Sequence, residues 1–228
     1  MNINYEFETI SAIATPLGAG GVGVIRLSGS DSFKIIEKIF SKKELQPGRI
    51  CHGWIIDNEK KIDEVIVLPF KNPNSYTGED VIEIQCHGGP KVVKQILDLT
   101  LKNGARLAQK GEFTKRAFLN KKLDLSQAEA VLDIIHAKTS NFAQKSANNL
   151  SGALAQQIKQ IKDSLFTLYS RIIAAVDFPE DVKEPEYSYL IEECQKNISN
   201  IERILKNANA SNLSLIHISE PTRRSYIS

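Results

Sequence analysis

The chain has 228 residues, with 29 lysines and arginines against 27 aspartates and glutamates and a net charge of +2 at pH 7. That balance is too even to mark nucleic-acid binding by itself, so any RNA contact must be local or supplied by a partner. No apolar run approaches the roughly 18 to 20 residues of a membrane span, and Cys51, Cys86 and Cys194 show neither paired nor metal-type spacing, which excludes a disulfide framework or zinc site and fits a reducing cytoplasm. Near the N-terminus, Glu6 and Glu8 stand where a secretory leader needs a basic region and an apolar core. The length admits two modest domains or one large one.

Up to about Asn120 the pattern is mixed α and β. Ile10 to Ala14 and Val22 to Leu27 read as short strands around a glycine-rich turn. Asp31 to Phe40 reads as a helix with Phe33, Ile36 and Phe40 on one side. Ile50 to Ile56 and Glu64 to Phe70 read as strands joined by the polar turn DNEKK. Val81 to Cys86 alternates, so Ile82, Ile84 and Cys86 share one face while Glu83 and Gln85 take the other. Pro90 to Lys102 reads as an amphipathic helix stopped by Asn103-Gly104.

The stretch GEFTKRAFLNKKLDLSQAEAVLDII, Gly111 to Ile135, brings Lys115, Arg116, Lys121 and Lys122 beside a helix start. Ser126 and Glu129 have capping-box spacing, and Val131, Ile134 and Ile135 continue as an apolar helical run. Beyond Leu125 the chain is nearly continuous helix. Leu154, Ile158, Ile161, Leu165, Leu168 and Ile172 form a stripe at steps of three and four, expected to face a core. Pro179 in VDFPED breaks the helix, and Tyr189 to Leu205 makes a further one. From about Ser211 the pattern deteriorates.

Several motifs fail on context. Gly18-Ala19-Gly20-Gly21-Val22-Gly23 matches the dinucleotide spacing G-x-G-x-x-G, but Val24 to Leu27 favour a strand where a helix must start. Its glycines are read as a tight turn with close backbone approach. No G-x-x-x-x-G-K-[ST] occurs, and in Gly88-Gly89-Pro90-Lys91 a proline removes an amide that a phosphate cradle uses. Asn120-Lys121-Lys122-Leu123-Asp124 is similar to a guanine-specificity motif with one residue too many. His87 is read as a turn histidine bonded to backbone, Cys86 as a small hydrophobe, and the acidic turn of Asp177, Glu180 and Asp181 as a helix end rather than a metal site.

Four segments in order carry a resemblance to a known family: ATPLGAGGVGVIRLSG (Ala14 to Gly29), NPNSYTGEDVIEIQCHGGP (Asn72 to Pro90), the Gly111 to Ile135 stretch, and AAVDFPED (Ala174 to Asp181). Together they resemble the MnmE or TrmE family of tRNA-modification GTPases. The resemblance implies an α+β organisation: a mixed α/β, tetrahydrofolate-binding and dimerising domain over residues 1–120, then an all-helical, bundle-like domain, partial here, over 121–210. Residues 211–228 form a tail unlike the family, foreign to it or marking a truncation.

For function, the resemblance implies binding of formyl- or methylene-tetrahydrofolate, with Arg26, Glu83 and Lys122 as the matching contacts. A further family lysine, and a cysteine suspected of catalysis, lie in a C-terminal segment without counterpart here, so no catalytic residue is assigned. GTP, with its magnesium and potassium, belongs to a GTPase domain equally without counterpart, and no metal site is expected. The implied partners are a second copy of the chain, the flavoprotein MnmG, and tRNA through that complex, with no membrane. The chemistry of the trio agrees. A pterin edge offers adjacent N–H and NH₂ donors to a carboxylate such as Glu83, while Arg26 and Lys122 match the carboxylates of the folate tail. Two rival readings stay open: a scaffold that only dimerises and docks partners, and a stand-alone folate enzyme of the aminomethyltransferase kind.

Overall fold

The computed structural model describes the backbone of residues 8–218, with side chains as far as Lys206. These residues divide into two compact units that meet in sequence between Ala128 and Glu129. The first is mixed α and β and the second is helical, an α+β protein.

The first unit is built on six strands: β1 (Ile10–Ile13), β2 (Gly20–Ser28), β3 (Cys51–Asp57), β4 (Lys60–Phe70), β5 (Val81–Gly88) and β6 (Arg106–Leu107). They lie in the order β3-β4-β5-β2-β1-β6. All neighbours are antiparallel except β1 with β6. β3 and β4 turn through Asn58 and Glu59, both at positive φ (44° and 71°). A two-residue turn of that hand matches the twist of a hairpin, so the turn is tighter than the five-residue span DNEKK.

Alternation sorts the side chains. Ile25 and Leu27 on β2, Val65 and Val67 on β4, and Ile82 and Ile84 on β5 are buried on one face. Against them pack α1 (Ser32–Ile39) through Ile35, Ile36 and Ile39, and α2 (Pro90–Lys102) through Val93, Ile96, Leu97 and Leu99. Truncating one of the central side chains to alanine costs about 2 to 5 kcal/mol in such cores. The inward face of α1 is thus centred on Ile35 and Ile39, not on Phe33, which is only half-buried; Phe40 is buried just past the helix end, where it bridges to Ile55. α2 has the predicted limits, and Gly104 takes φ +115° just beyond it. The opposite face of β2 and β5 carries Arg26 and Glu83 in register with each other.

α3 (Glu112–Leu119) and the start of α4 (Leu125–His136) complete the first unit. At α4 the capping box is Asp124 with Gln127, not Ser126 with Glu129. The Asp124 carboxylate accepts from the Gln127 amide at 2.9 Å, and the Gln127 side chain accepts from the Asp124 amide at 2.9 Å. Ser126 donates its hydroxyl to the same Asp124 oxygen at 2.7 Å. Ser126 is already helical, so its hydroxyl cannot take the N-cap position.

The second unit holds the rest of α4, then α5 (Ser140–Leu150), α6 (Ala153–Asp177) and α7 (Tyr187–Ile218). Thr139 caps α5, accepting from the Phe142 amide, and α6 ends just before Phe178-Pro179 as the proline requires. Buried Asn197 on α7 donates to Ser164 on α6 at 2.9 Å. The stripe on α6 buries Leu168, but Ile158 is 53% exposed, and Leu165 and Ile172 are also open. Spacing set the apolar side of this helix, and the described helices cover only part of it. Ile135 on α4 is likewise exposed. The backbone of α7 continues to Ile218, so helix extends past Ser211; residues 219–228 of the expected tail lie outside the described residues.

Among the described residues, no helix is long and apolar enough to cross a membrane.

Candidate functional site

Arg26 and Glu83 face each other across β2 and β5. The Glu83 Oε1 accepts from Arg26 Nε at 2.7 Å and lies 2.6 Å from Nη2. Both contacts fall on one carboxylate oxygen, and among the described residues Oε2 accepts no hydrogen bond. The guanidinium lies over two rings, 5.3 Å from the centre of Tyr76 and 5.7 Å from that of Phe113. Ion pairing and two aromatic faces therefore fix its plane. The Tyr76 hydroxyl is 2.9 Å from the Thr114 hydroxyl, which ties the two ring-bearing segments together.

The loop between β4 and β5 is pinned at both ends. Asp80 accepts from Lys71 Nζ at 2.6 Å and from the Asn72 amide at 3.0 Å. Its middle meets the turn after α3: Asn120 donates to the Thr77 carbonyl at 2.8 Å, and Lys122 Nζ to the Pro73 carbonyl at 3.1 Å. Gly78, at φ +75°, lies under the Lys122 stem, where a Cβ would come within 3.1 Å of Lys122 Cγ. The positive φ favours glycine there, and a Cβ would press on the Lys122 stem. Beside this loop opens a cavity of about 320 Å³, lined among others by Phe70, Tyr76, Val81, Glu83 and Lys122. That volume sits at the small end of ligand pockets.

An ionic network that the sequence reading did not name holds α3. Arg116, 1% exposed, donates to Glu79 at 3.1 Å, to Glu112 at 2.9 Å and to the Glu8 carbonyl at 2.9 Å. Arg106 closes on Glu112 at 2.6 Å and on Glu8 at 2.9 Å. Glu79 also accepts from Ser28 on β2 at 2.6 Å. Burial alone would raise the Glu112 carboxyl. Hydrogen bonds from Arg106, the Gln109 amide and Arg116 outweigh it and hold the group at about 2. The network bolts α3 to β2 and to the loop that carries Tyr76. Its sequence signal was the i,i+4 spacing of Glu112 and Arg116. Arg116 therefore does not belong to a solvated basic cluster, whereas Lys115, Lys121 and Lys122 are exposed.

The three residues named from sequence thus come together: Glu83 and Lys122 line one cavity and Arg26 is bonded to Glu83. The Arg26 charge is met by Glu83. Tyr76 and Phe113 were missed, although both stand inside the motifs that carried the resemblance.

The remaining motifs are placed elsewhere. His87 lies within β5, and its ring Nδ1 is 2.7 Å from buried Asp63, whose other oxygen accepts the His87 amide at 2.8 Å. Its ring partner is a carboxylate, not backbone. Cys86 is buried, and desolvation, helped by the Asp63 charge, pushes its thiol up to about 11, which suits a packing role. Gly20 to Gly23 enter β2 directly, with no helix following. Among the described residues, no group of three or more His, Cys, Asp or Glu is arranged to hold a metal ion.

Two family models match the chain in order. The one described as "GTP-binding protein TrmE N-terminus" covers residues 9–122, and the one described as "MnmE helical domain" covers residues 125–215. Among curated proteins, the chain is similar to the tRNA modification GTPase MnmE of Thermotoga petrophila, 44% identical over 89% of this chain and 45% of that protein. It is 47% identical to the protein of the same name from a Thermotoga species, over 77% of this chain and 39% of the relative. The Clostridioides difficile protein of that name is 44% identical over 90% of this chain and 46% of its own length. The chain spans about half the length of the curated relatives it matches.

Proposed function

Because the chain belongs to the MnmE family, we propose that its first unit binds a tetrahydrofolate derivative, formyl- or methylene-, for modification of the wobble uridine of tRNA. The observation that supports this most is that Glu83 and Lys122 line one cavity while Arg26 pairs with Glu83, from three separate segments of the chain. Glu83 offers a carboxylate oxygen toward the adjacent donors of a pterin, and Lys122 offers a mobile point charge to an anionic tail. Tyr76 supplies an apolar wall for the ring system. The folate supplies the one-carbon unit that joins an amino group to the uracil ring; this chain's residues bind and orient it.

The wider assembly follows from the same reading. The first unit dimerises with a second copy, the flavoprotein MnmG shares the chemistry, and tRNA is engaged through the complex in the cytoplasm. GTP hydrolysis belongs to sequence that this chain does not contain.

The test is a titration with formyl-tetrahydrofolate followed by thermal melting. A ligand that binds only the folded state at a hundred times its Kd stabilises by about 2.7 kcal/mol, a shift of several degrees. No shift at millimolar folate overturns the proposal and favours a pure docking scaffold. One-carbon transfer by the chain alone favours a stand-alone enzyme.

A further inference from the structure

We infer that the helical unit carries a contact site for the RNA backbone: a cleft between α6 and α7 that holds a ribose 2′-hydroxyl beside its phosphodiester. The inference rests on the tRNA part of the proposed function and not on the folate cavity.

The cleft is a cavity of about 260 Å³ whose lining includes Ser164 on α6 and Lys196, Asn197 and Arg203 on α7. Asn197 is only 4% exposed, and both hydrogens of its amide nitrogen are spent. Nδ2 donates to the Glu193 carbonyl at 2.8 Å and to the Ser164 hydroxyl at 2.9 Å. A backbone carbonyl can only accept, so the nitrogen must face Glu193 and the orientation of the amide is settled. The carboxamide oxygen is left over, and among the described residues nothing donates to it. A buried acceptor on a polar cavity calls for a donor from outside the fold. Ser164 accepts from Asn197 and, among the described residues, donates to no group, so its proton remains for a ligand.

The cavity thus offers one acceptor and one donor, which a hydroxyl satisfies at once because it both donates and accepts. Lys196 and Arg203 add positive charge, and among the described residues the lining holds no carboxylate. Lys196 has Glu193 at 3.5 Å, whereas Arg203 meets no carboxylate among the described residues. A hydroxyl next to an anion repeats along RNA, and DNA lacks the hydroxyl. Serine, asparagine, lysine and arginine are also the side chains that take phosphate and sugar contacts. Of the molecules with that chemistry, RNA is the one that the proposed tRNA modification brings to the chain. A net charge of +2 keeps such a contact local.

The experiment measures binding of a short single-stranded ribo-oligonucleotide, and of its 2′-deoxy counterpart with the same bases, to the whole chain. Fluorescence anisotropy across a salt series reads the affinities, and inorganic phosphate serves as competitor. The native chain should bind the RNA on the order of tenfold more tightly, the worth of about one well-placed hydrogen bond. Asn197→Leu, similar in shape, should bring the two affinities together. Ser164→Ala should shrink the preference as well, and covers the case in which the leucine variant does not fold. Arg203→Gln should weaken RNA and DNA alike and lower the salt slope by about one. Melting curves report the folding of each variant separately. Equal affinities in the native chain, or a preference left unchanged in the folded Asn197 and Ser164 variants, overturn the proposal. Displacement of the RNA by millimolar phosphate at constant ionic strength makes the cleft a small-anion site and overturns it too. Binding of neither nucleic acid also overturns it, and leaves the folate site to its own titration.

Discussion

Glu83 illustrates how one side chain serves two demands. Its partner in the structure is Arg26, while the proposed ligand uses the same carboxylate. Glu83→Gln keeps the shape, loses the charge and turns one arm into a donor toward donors. Folate affinity should fall by about 2 to 4 kcal/mol, on the order of thirtyfold or more. Stability should fall by at most about 1 kcal/mol, because the lost ion pair is partly open to solvent. Calorimetry beside melting checks both numbers, and a stability loss as large as the binding loss would make Glu83 structural. Glu112 is the opposite case, buried in the Arg106 and Arg116 network with its carboxyl lowered from 4.5 to about 2. Being lowered, it contributes stability that is present above about pH 4.5 and lost as pH falls toward 2. A shift of that size corresponds to roughly 3 kcal/mol. Glu112→Gln should therefore cost about that much near neutrality and little near pH 2, as read by denaturant unfolding at several pH values. An equal cost at both ends would mean that packing, not charge, holds α3.

At the scale of elements, the first turn of α4 separates two patterns that look alike in sequence. Asp124 with Gln127 and Ser126 with Glu129 both have capping-box spacing, and only the first is made. Asp124→Ala should cost about 0.5 to 2 kcal/mol. Glu129→Ala should cost only a few tenths, since alanine is a good helix former. Thermal melting of the two variants checks this, and a larger loss for Glu129 would restore the other box. The case shows what was legible. Alternation gave the faces of β5, and Pro90 with Asn103-Gly104 gave α2 its limits, because those signals are local. The partner of Arg26 lies 57 residues away, so only strand register could reveal it. Arg116 looked like one more surface cation, for its burial depends on Glu79 arriving from a distant loop. On α6, spacing defined an apolar side but could not say how much of it neighbouring helices cover.

For the whole molecule, the sharpest contrast is between the proposed ligand and the nucleotide named in its relatives. GTP binding in this class needs backbone amides wrapped around the β-phosphate and a lysine reaching the γ-phosphate, both supplied by G-x-x-x-x-G-K-[ST]. No such run occurs in the 228 residues. The nearest fragment, Gly88-Gly89-Pro90-Lys91, opens α2, where Pro90 has no N–H to give. Gly88 is also pressed against β2, so closely that a Cβ there would lie 2.5 Å from the Gly20 carbonyl oxygen. That backbone is committed to the sheet and cannot fold around a phosphate. The chain should therefore show no saturable GTP binding by calorimetry and no melting shift in millimolar GTP with magnesium, while formyl-tetrahydrofolate shifts the same curve. Saturable GTP binding would require a nucleotide site of another design, and loss of that binding in Lys91→Ala would locate it at the start of α2.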